Sequence, residues 1–116
     1  MTTVFFVEDD ESLQDIAGLV FRGPEFAVRI FESAEKLLGE RTYPHVYVLD
    51  KQLPGISGLD LCRILKADPQ TRNIPVIIVS ADPDIKALAA PIGATAVLEK
   101  PFSIHVLLKA VMDVSA

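Results

Sequence analysis

Apolar residues in this chain alternate between short unbroken runs and runs at helical spacing, and the pair repeats five times. Thr3 to Val7 is β-branched and aromatic and ends in Glu8-Asp9-Asp10. From Ser12, read as an N-cap, Leu13, Ile16, Ala17, Val20 and Phe21 recur as one helical face, stopped by Gly23-Pro24. Phe26 to Phe31 alternates enough for a strand, and Ser33 caps a short helix with Ala34, Leu37 and Leu38, closed by Gly39. Tyr43-Pro44 leads into Val46 to Asp50, and a Pro54-Gly55 turn follows. Ser57 then caps a helix carrying Leu59, Leu61, Cys62, Ile64 and Leu65, ended by Asp68-Pro69. Pro75 to Val79 is the most strand-like run and delivers Ser80. A weak helix is expected from Asp82-Pro83, with Asp82 as its cap and proline in the first turn, cut short by Pro91 and Gly93. Thr95 to Leu98 reads as a short last strand running into Glu99-Lys100-Pro101-Phe102. Ser103 caps the final helix, whose stripe passes through Val106, Leu107, Ala110 and Val111.

Five strand–helix units with no linker, internal repeat or low-complexity segment predict one α/β domain over residues 1–116. Parallel pairing through right-handed crossovers puts helices on both faces of the sheet. Chain order does not fix sheet order. The flavodoxin-like order 2-1-3-4-5 is the common five-strand solution, and it sets the ends of the first and third strands side by side.

Val46-Tyr47-Val48-Leu49-Asp50 is the stretch around which the chemistry gathers. Four apolar residues bounded by a turn read as a strand buried on both faces, so Asp50 emerges at the carboxyl edge of the sheet, where α/β proteins bind ligands. Alone, Asp50 is equally a turn-starting aspartate. The other strand ends carry Glu8-Asp9, Ser80 and Lys100, all at the same edge of a parallel sheet. Three converging carboxylates repel one another and raise at least one pKa, a cost that a hard divalent cation relieves. Mg²⁺ suits such a set, because it takes few protein carboxylates and keeps waters and a phosphate oxygen. A lysine and a hydroxyl beside it complete a site for a phosphoryl group, open to in-line attack by the Asp50 carboxylate.

Composition narrows the rest. Half the residues are apolar and 23% charged, a globular balance, and the formal net charge of −5 argues against nucleic-acid binding by this chain. Cys62 is the lone cysteine and falls on a core face, so it reads as packing and permits no internal disulfide; a cytoplasmic setting is the simpler expectation. No stretch resembles a signal peptide or a membrane span. His45 and His105 lack ligand spacing.

Together, Glu8-Asp9, Leu49-Asp50 with Pro54-Gly55 and Gly58, Ser80-Ala81, and Lys100-Pro101-Phe102 resemble the signature set of bacterial two-component response-regulator receiver domains. The resemblance covers essentially the whole chain. It implies that Asp50 accepts a phosphoryl group from a phosphohistidine on a sensor histidine kinase or a phosphotransfer protein. Asp9 and Asp50 would ligate Mg²⁺ directly, with the backbone carbonyl of Gln52 as a third ligand and Glu8 acting mainly through a bound water. Lys100 would pair with the phosphoryl group and Ser80 would hydrogen-bond to it, drawing the following loop inward and shifting a two-state equilibrium. An output partner or attached output domain would read that shift. Ala81 matches the small residue that keeps access open, Asp10 would lie beside the site, and the family also suggests a cis bond before Pro101.

The chain departs from the family at Val97, where receivers usually carry an aromatic residue, and at Pro91, which disfavours helix at Ala90. A short or irregular fourth helix and a non-standard signalling face are expected, which argues against pairing of two receivers through that face. Gln52 and Asp82 occupy positions that tune phosphoryl lifetime in the family. Two alternatives stand beside the receiver: a degenerate receiver serving only as an interaction domain, and an aspartyl-phosphate phosphohydrolase. The second is disfavoured because Gln52 stands where such enzymes place a second carboxylate. The expectation is therefore a phosphoacceptor rather than an enzyme.

Overall fold

The computed structural model describes residues 1–115. Its sheet is wholly parallel, in the order β2-β1-β3-β4-β5, formed by β1 (Thr2–Val7), β2 (Phe26–Phe31), β3 (Val46–Asp50), β4 (Val76–Ser80) and β5 (Ala96–Glu99). This is the predicted flavodoxin-like topology. The central strands β3 and β4 are buried at every position, which is why their sequences are unbroken apolar runs rather than alternating ones. Helices α2 (Ala34–Leu38), α3 (Gly58–Ala67) and α4 (Ile85–Ala89) cover one face, meeting Phe5, Tyr47, Leu49 and Ile78. Helices α1 (Glu11–Val20) and α5 (Ile104–Ser115) cover the other through Ala17, the α1 C-cap Phe21, Leu107 and Val111, against Phe6, Val48, Ile77 and Val79.

Several local expectations shift. Asp10, not Ser12, is the N-cap of α1: its backbone is extended and its carboxylate accepts the Leu13 N–H at 3.2 Å. The acid nearest the end of β1 that can turn the chain takes the cap, leaving Ser12 in the first turn. Ser33, Ser57 and Ser103 do cap their helices, accepting the N–H groups of Lys36, Asp60 and Val106. Pro83 precedes α4 instead of entering it, and Asp82 receives the Asp84 N–H one step ahead of the helix. As expected, α4 is short: it spans five residues and gives way at Pro91 to a 3₁₀ turn, Ala90–Ile92, closed by Gly93 at φ +92°. β5 begins at Ala96 rather than Thr95. Val106 is 46% exposed, and Leu38 and Ile64 also point outward, because each helix turns only its most central apolar rows to the sheet. The Lys100–Pro101 bond is cis.

Two glycines separate close approach from mere flexibility. A Cβ on Gly58 would collide with the carbonyl oxygen of Asp50 and lie 2.9 Å from Lys51 Cα, so α3 starts directly against the end of β3. The Gly58 N–H donates to the Lys51 carbonyl at 2.9 Å and locks that approach. Gly18, inside α1, has nothing within 4 Å of its virtual Cβ. Gly18→Ala is therefore expected to stabilise the protein by about 0.5–1 kcal/mol, through helix propensity. Gly58→Ala should cost about 1–3 kcal/mol, through backbone displacement. Urea unfolding followed by circular dichroism reads both; equal effects would contradict the assignment.

Candidate functional site

Each side chain at the carboxyl edge is delivered by a different strand. β1 ends at Val7, and Glu8 follows with its backbone N–H donating to the Phe31 carbonyl at 3.0 Å, so the turn remains tied to β2. Asp50 is the last residue of β3 and Ser80 the last of β4, while Lys100 comes directly after β5 with its N–H donating to the Ser80 carbonyl at 2.8 Å. Parallel register thus converts four distant sequence positions into one rim. The rim encloses an open cleft of about 480 Å³, lined by Glu8, Asp9, Asp50, Gln52, Ser80 and Lys100, with Asp10, Lys51, Ala81, Asp82 and Pro83 completing its wall.

Oxygens of Glu8, Asp9 and Asp50 lie within 4.8 Å of one another. Lys100 Nζ is 3.4 Å from Asp50 Oδ1 and 3.7 Å from Glu8 Oε2, a partial counter-charge shared between two acids. The Gln52 N–H donates to Asp50 Oδ1 at 3.4 Å, and Gln52 lines the cleft. Glu8 is 1% exposed, and its Oε1 accepts the Asp10 N–H at 3.2 Å, but Oε2 is buried without a hydrogen-bond partner. Burial, reinforced by the negative charge of Asp50, pushes the Glu8 carboxyl up to about 7, against the opposing pull of Lys100. An orphaned carboxylate oxygen inside a cluster of acids is the arrangement a bound cation would complete, and the donors are all hard oxygens. The donor set therefore fits a divalent metal such as Mg²⁺.

Ser80 is buried to 4% exposure, and its Oγ accepts the Asp82 N–H at 3.0 Å, leaving its proton available to donate. Asp10 serves as the α1 cap beside the cluster, and Ala81 is exposed at the mouth. His45, His105 and Cys62 stay outside the cleft. His45 accepts the Thr3 N–H through Nδ1, and burial pushes the Cys62 thiol up, as for an inert packing group. One contact escaped the sequence. Lys51 Nζ pairs with Asp82 Oδ2 at 2.7 Å, joining the β3–α3 and β4–α4 loops across 31 positions of chain. The only sequence signal was that each residue directly follows or nearly follows a strand end.

The Glu8 carboxyl has a definite consequence for stability. Below pH 4.5 it is protonated folded or unfolded; between 4.5 and about 7 the folded state retains a proton that the unfolded chain has released. Stability from this group is therefore fully present below 4.5 and is lost as pH rises to about 7. The slope is at most about 1.4 kcal/mol per pH unit. Urea unfolding in a chelator from pH 4 to 8 should show this fall in the wild type and a flatter profile in Glu8→Gln. Parallel profiles would mean that Glu8 ionises normally.

Comparison with known proteins agrees with this geometry. Residues 4–112 match the model of the response regulator receiver domain. The sensory transduction protein RegX3 of Mycolicibacterium smegmatis is 36% identical over 112 residues, which is 93% of this chain and 48% of RegX3. The chain thus spans about half the length of the curated relatives it matches. The BeF3-activated DrrB receiver domain superposes with a TM-score of 0.89 at 27% identity, covering 98% of this chain and 97% of that one. The receiver domain of the sensor histidine kinase PA1611 from Pseudomonas aeruginosa PAO1, described with magnesium coordinated in its active-site cleft, shares the fold at 21% identity. Its TM-score is 0.86, over 98% of this chain and 97% of that one. Motifs, topology and relatives converge: the chain belongs to the response regulator receiver domain family, a family of signalling domains.

Proposed function

We propose that Asp50 is the phosphoacceptor of this receiver, taking a phosphoryl group from a phosphohistidine of a sensor histidine kinase or phosphotransfer protein. The observation that carries this reading is a carboxylate cluster with a single shared lysine: buried Glu8 and Asp50 and exposed Asp9 within 4.8 Å, and Lys100 at 3.4 Å from Asp50. Asp9, Asp50 and the Gln52 carbonyl would hold Mg²⁺, with Glu8 behind them. When bound, that ion neutralises charge on the transferring phosphoryl oxygens. An Asp50 oxygen forms the new O–P bond, the P–N bond breaks, and its electron pair stays on the donor imidazole. The product is a mixed anhydride on Asp50. Lys100 is positioned to pair with the transferred group, and the Ser80 hydroxyl has a proton to donate to it. Ala81 leaves the approach open.

The chain acts on no separate substrate in this reading, since no second carboxylate stands at Gln52 to activate a water. Residues 1–116 form one receiver domain that passes its signal to a partner or to an attached output segment, in keeping with relatives about twice its length. No helix among the described residues is long and apolar enough to cross a membrane, and we infer a cytoplasmic setting from the partner class. The short α4 and Val97, half-buried against the core, give the output face a shape of its own.

Incubation with acetyl phosphate and Mg²⁺ should add the mass of one phosphoryl group to the wild type. Asp50→Asn should add none, and Asp9→Asn or Lys100→Ala should slow the addition by about 10²-fold or more. Mass gain that persists in Asp50→Asn, or that is indifferent to chelation of Mg²⁺, would sink the reading.

A further inference from the structure

Lys51 and Asp82 are the one oppositely charged pair in the cleft wall that the proposed transfer does not use. Their contact is 2.7 Å, and their side chains are 22% and 29% exposed. Asp82 is fixed at both oxygens and at its amide. Oδ2 takes Lys51, Oδ1 accepts the Asp84 N–H at 2.8 Å, and its own N–H donates to Ser80 Oγ at 3.0 Å. Lys51 is fixed at its backbone: its N–H donates to the Val79 carbonyl at 2.9 Å, and its carbonyl accepts the Gly58 N–H at 2.9 Å. The lysine side chain is held through its ammonium by Asp82 alone, and it already lines the cleft.

Around that cleft, five carboxylates face two lysines. Lys100 is shared between Glu8 and Asp50. Lys51 is neutralised by Asp82, whose carboxyl it holds below the usual range. An anionic phosphoryl donor entering this mouth meets an excess of negative charge.

We propose that Lys51 is a second phosphate-directed cation of the cleft, and that Asp82 holds it in reserve and so sets how readily anionic donors enter. The inference rests on the phosphoacceptor reading for its biological meaning, but it concerns a binding contact of its own. Lys51 swings from Asp82 to the phosphoryl oxygens, its ammonium contributing a point charge. Because the pair is partly exposed, the bias is small, screened by salt, and amounts to about two- to five-fold in rate.

The test is a double-mutant cycle read by acetyl phosphate transfer, with intact mass as the signal. Asp82→Asn should speed the transfer about two- to five-fold at low salt, and Lys51→Gln should slow it. In the Lys51→Gln background, Asp82→Asn should bring little or no gain, because the gain comes from the freed lysine. A gain that survives there would mean that Asp82 acts by its own charge alone, overturning the proposal. Variants that all move the rate the same way would mark the pair as a structural brace, which also overturns it.

A second readout separates this inference from the phosphoacceptor reading. Inorganic phosphate titrated with Mg²⁺ into the Asp82→Asn protein should shift the Lys51 resonances more than in the wild type. Unmoved Lys51 resonances would refute the lysine's role even where Asp50 is phosphorylated normally. A shift in a protein that takes no covalent phosphate would uphold the lysine and reject the phosphoacceptor.

Discussion

The arrangement on which the rest of this structure depends is a cluster of acids buried against too little positive charge. Glu8 and Asp50 lie at the ends of neighbouring strands with only Lys100 between them, and one oxygen of Glu8 is buried with no hydrogen bond, 3.7 Å from the lysine. Burying ionised carboxylates so poorly compensated is costly, and the protein meets part of that cost by holding a proton on Glu8 to about pH 7. The remaining stability comes from elsewhere. Two apolar layers clamp the central strands, whose side chains are almost entirely withdrawn from water. A sheet buried on both faces is what makes an unfavourable cluster tolerable, and the cluster's hard oxygens are a donor set that fits a divalent cation.

The loops divide into a fixed part and an adjustable part. After β3 the chain is pinned by Lys51 to Val79 and by Gly58 to Lys51, with α3 seated so closely that only glycine fits at its first position. After β4 backbone bonds from Lys100 to Ser80 and from Ile85 to Asp82 are joined by side-chain contacts: Ser80 Oγ, the two Asp82 oxygens and the Lys51 ammonium. Backbone pairing holds Asp50 still, whereas hydroxyl and ion-pair contacts can be exchanged for a ligand.

The segment between β4 and β5 has its own local logic. Pro91 interrupts what would have continued as helix, so α4 ends after five residues and a 3₁₀ turn carries the chain to Gly93. Val97 is half-buried against the same core cluster that includes Ile85 and Ala89 of α4. An aliphatic side chain there offers no polar tip to alternate between core and solvent.

The strand–helix alternation, the burial of β3 and β4, and the polar residue at each strand end were legible in the sequence. Apolar period and turn residues are local properties, and a parallel sheet then forces its strand ends to one edge. The strand order was legible only through the commonness of one topology, strengthened by the motif resemblance. Local competition decided what pattern could not: Asp10 outbids Ser12 for the α1 cap, and Pro83 stays outside α4. Along α3 and α5 the apolar stripe is wider than the row that meets the sheet: Cys62 faces inward as expected, whereas Ile64 and Val106 do not. The orphaned oxygen of Glu8 and the bridge from Lys51 to Asp82 belong wholly to the tertiary structure. Both depend on ångström-scale distances between segments far apart in the chain, and a sequence pattern carries no such distances.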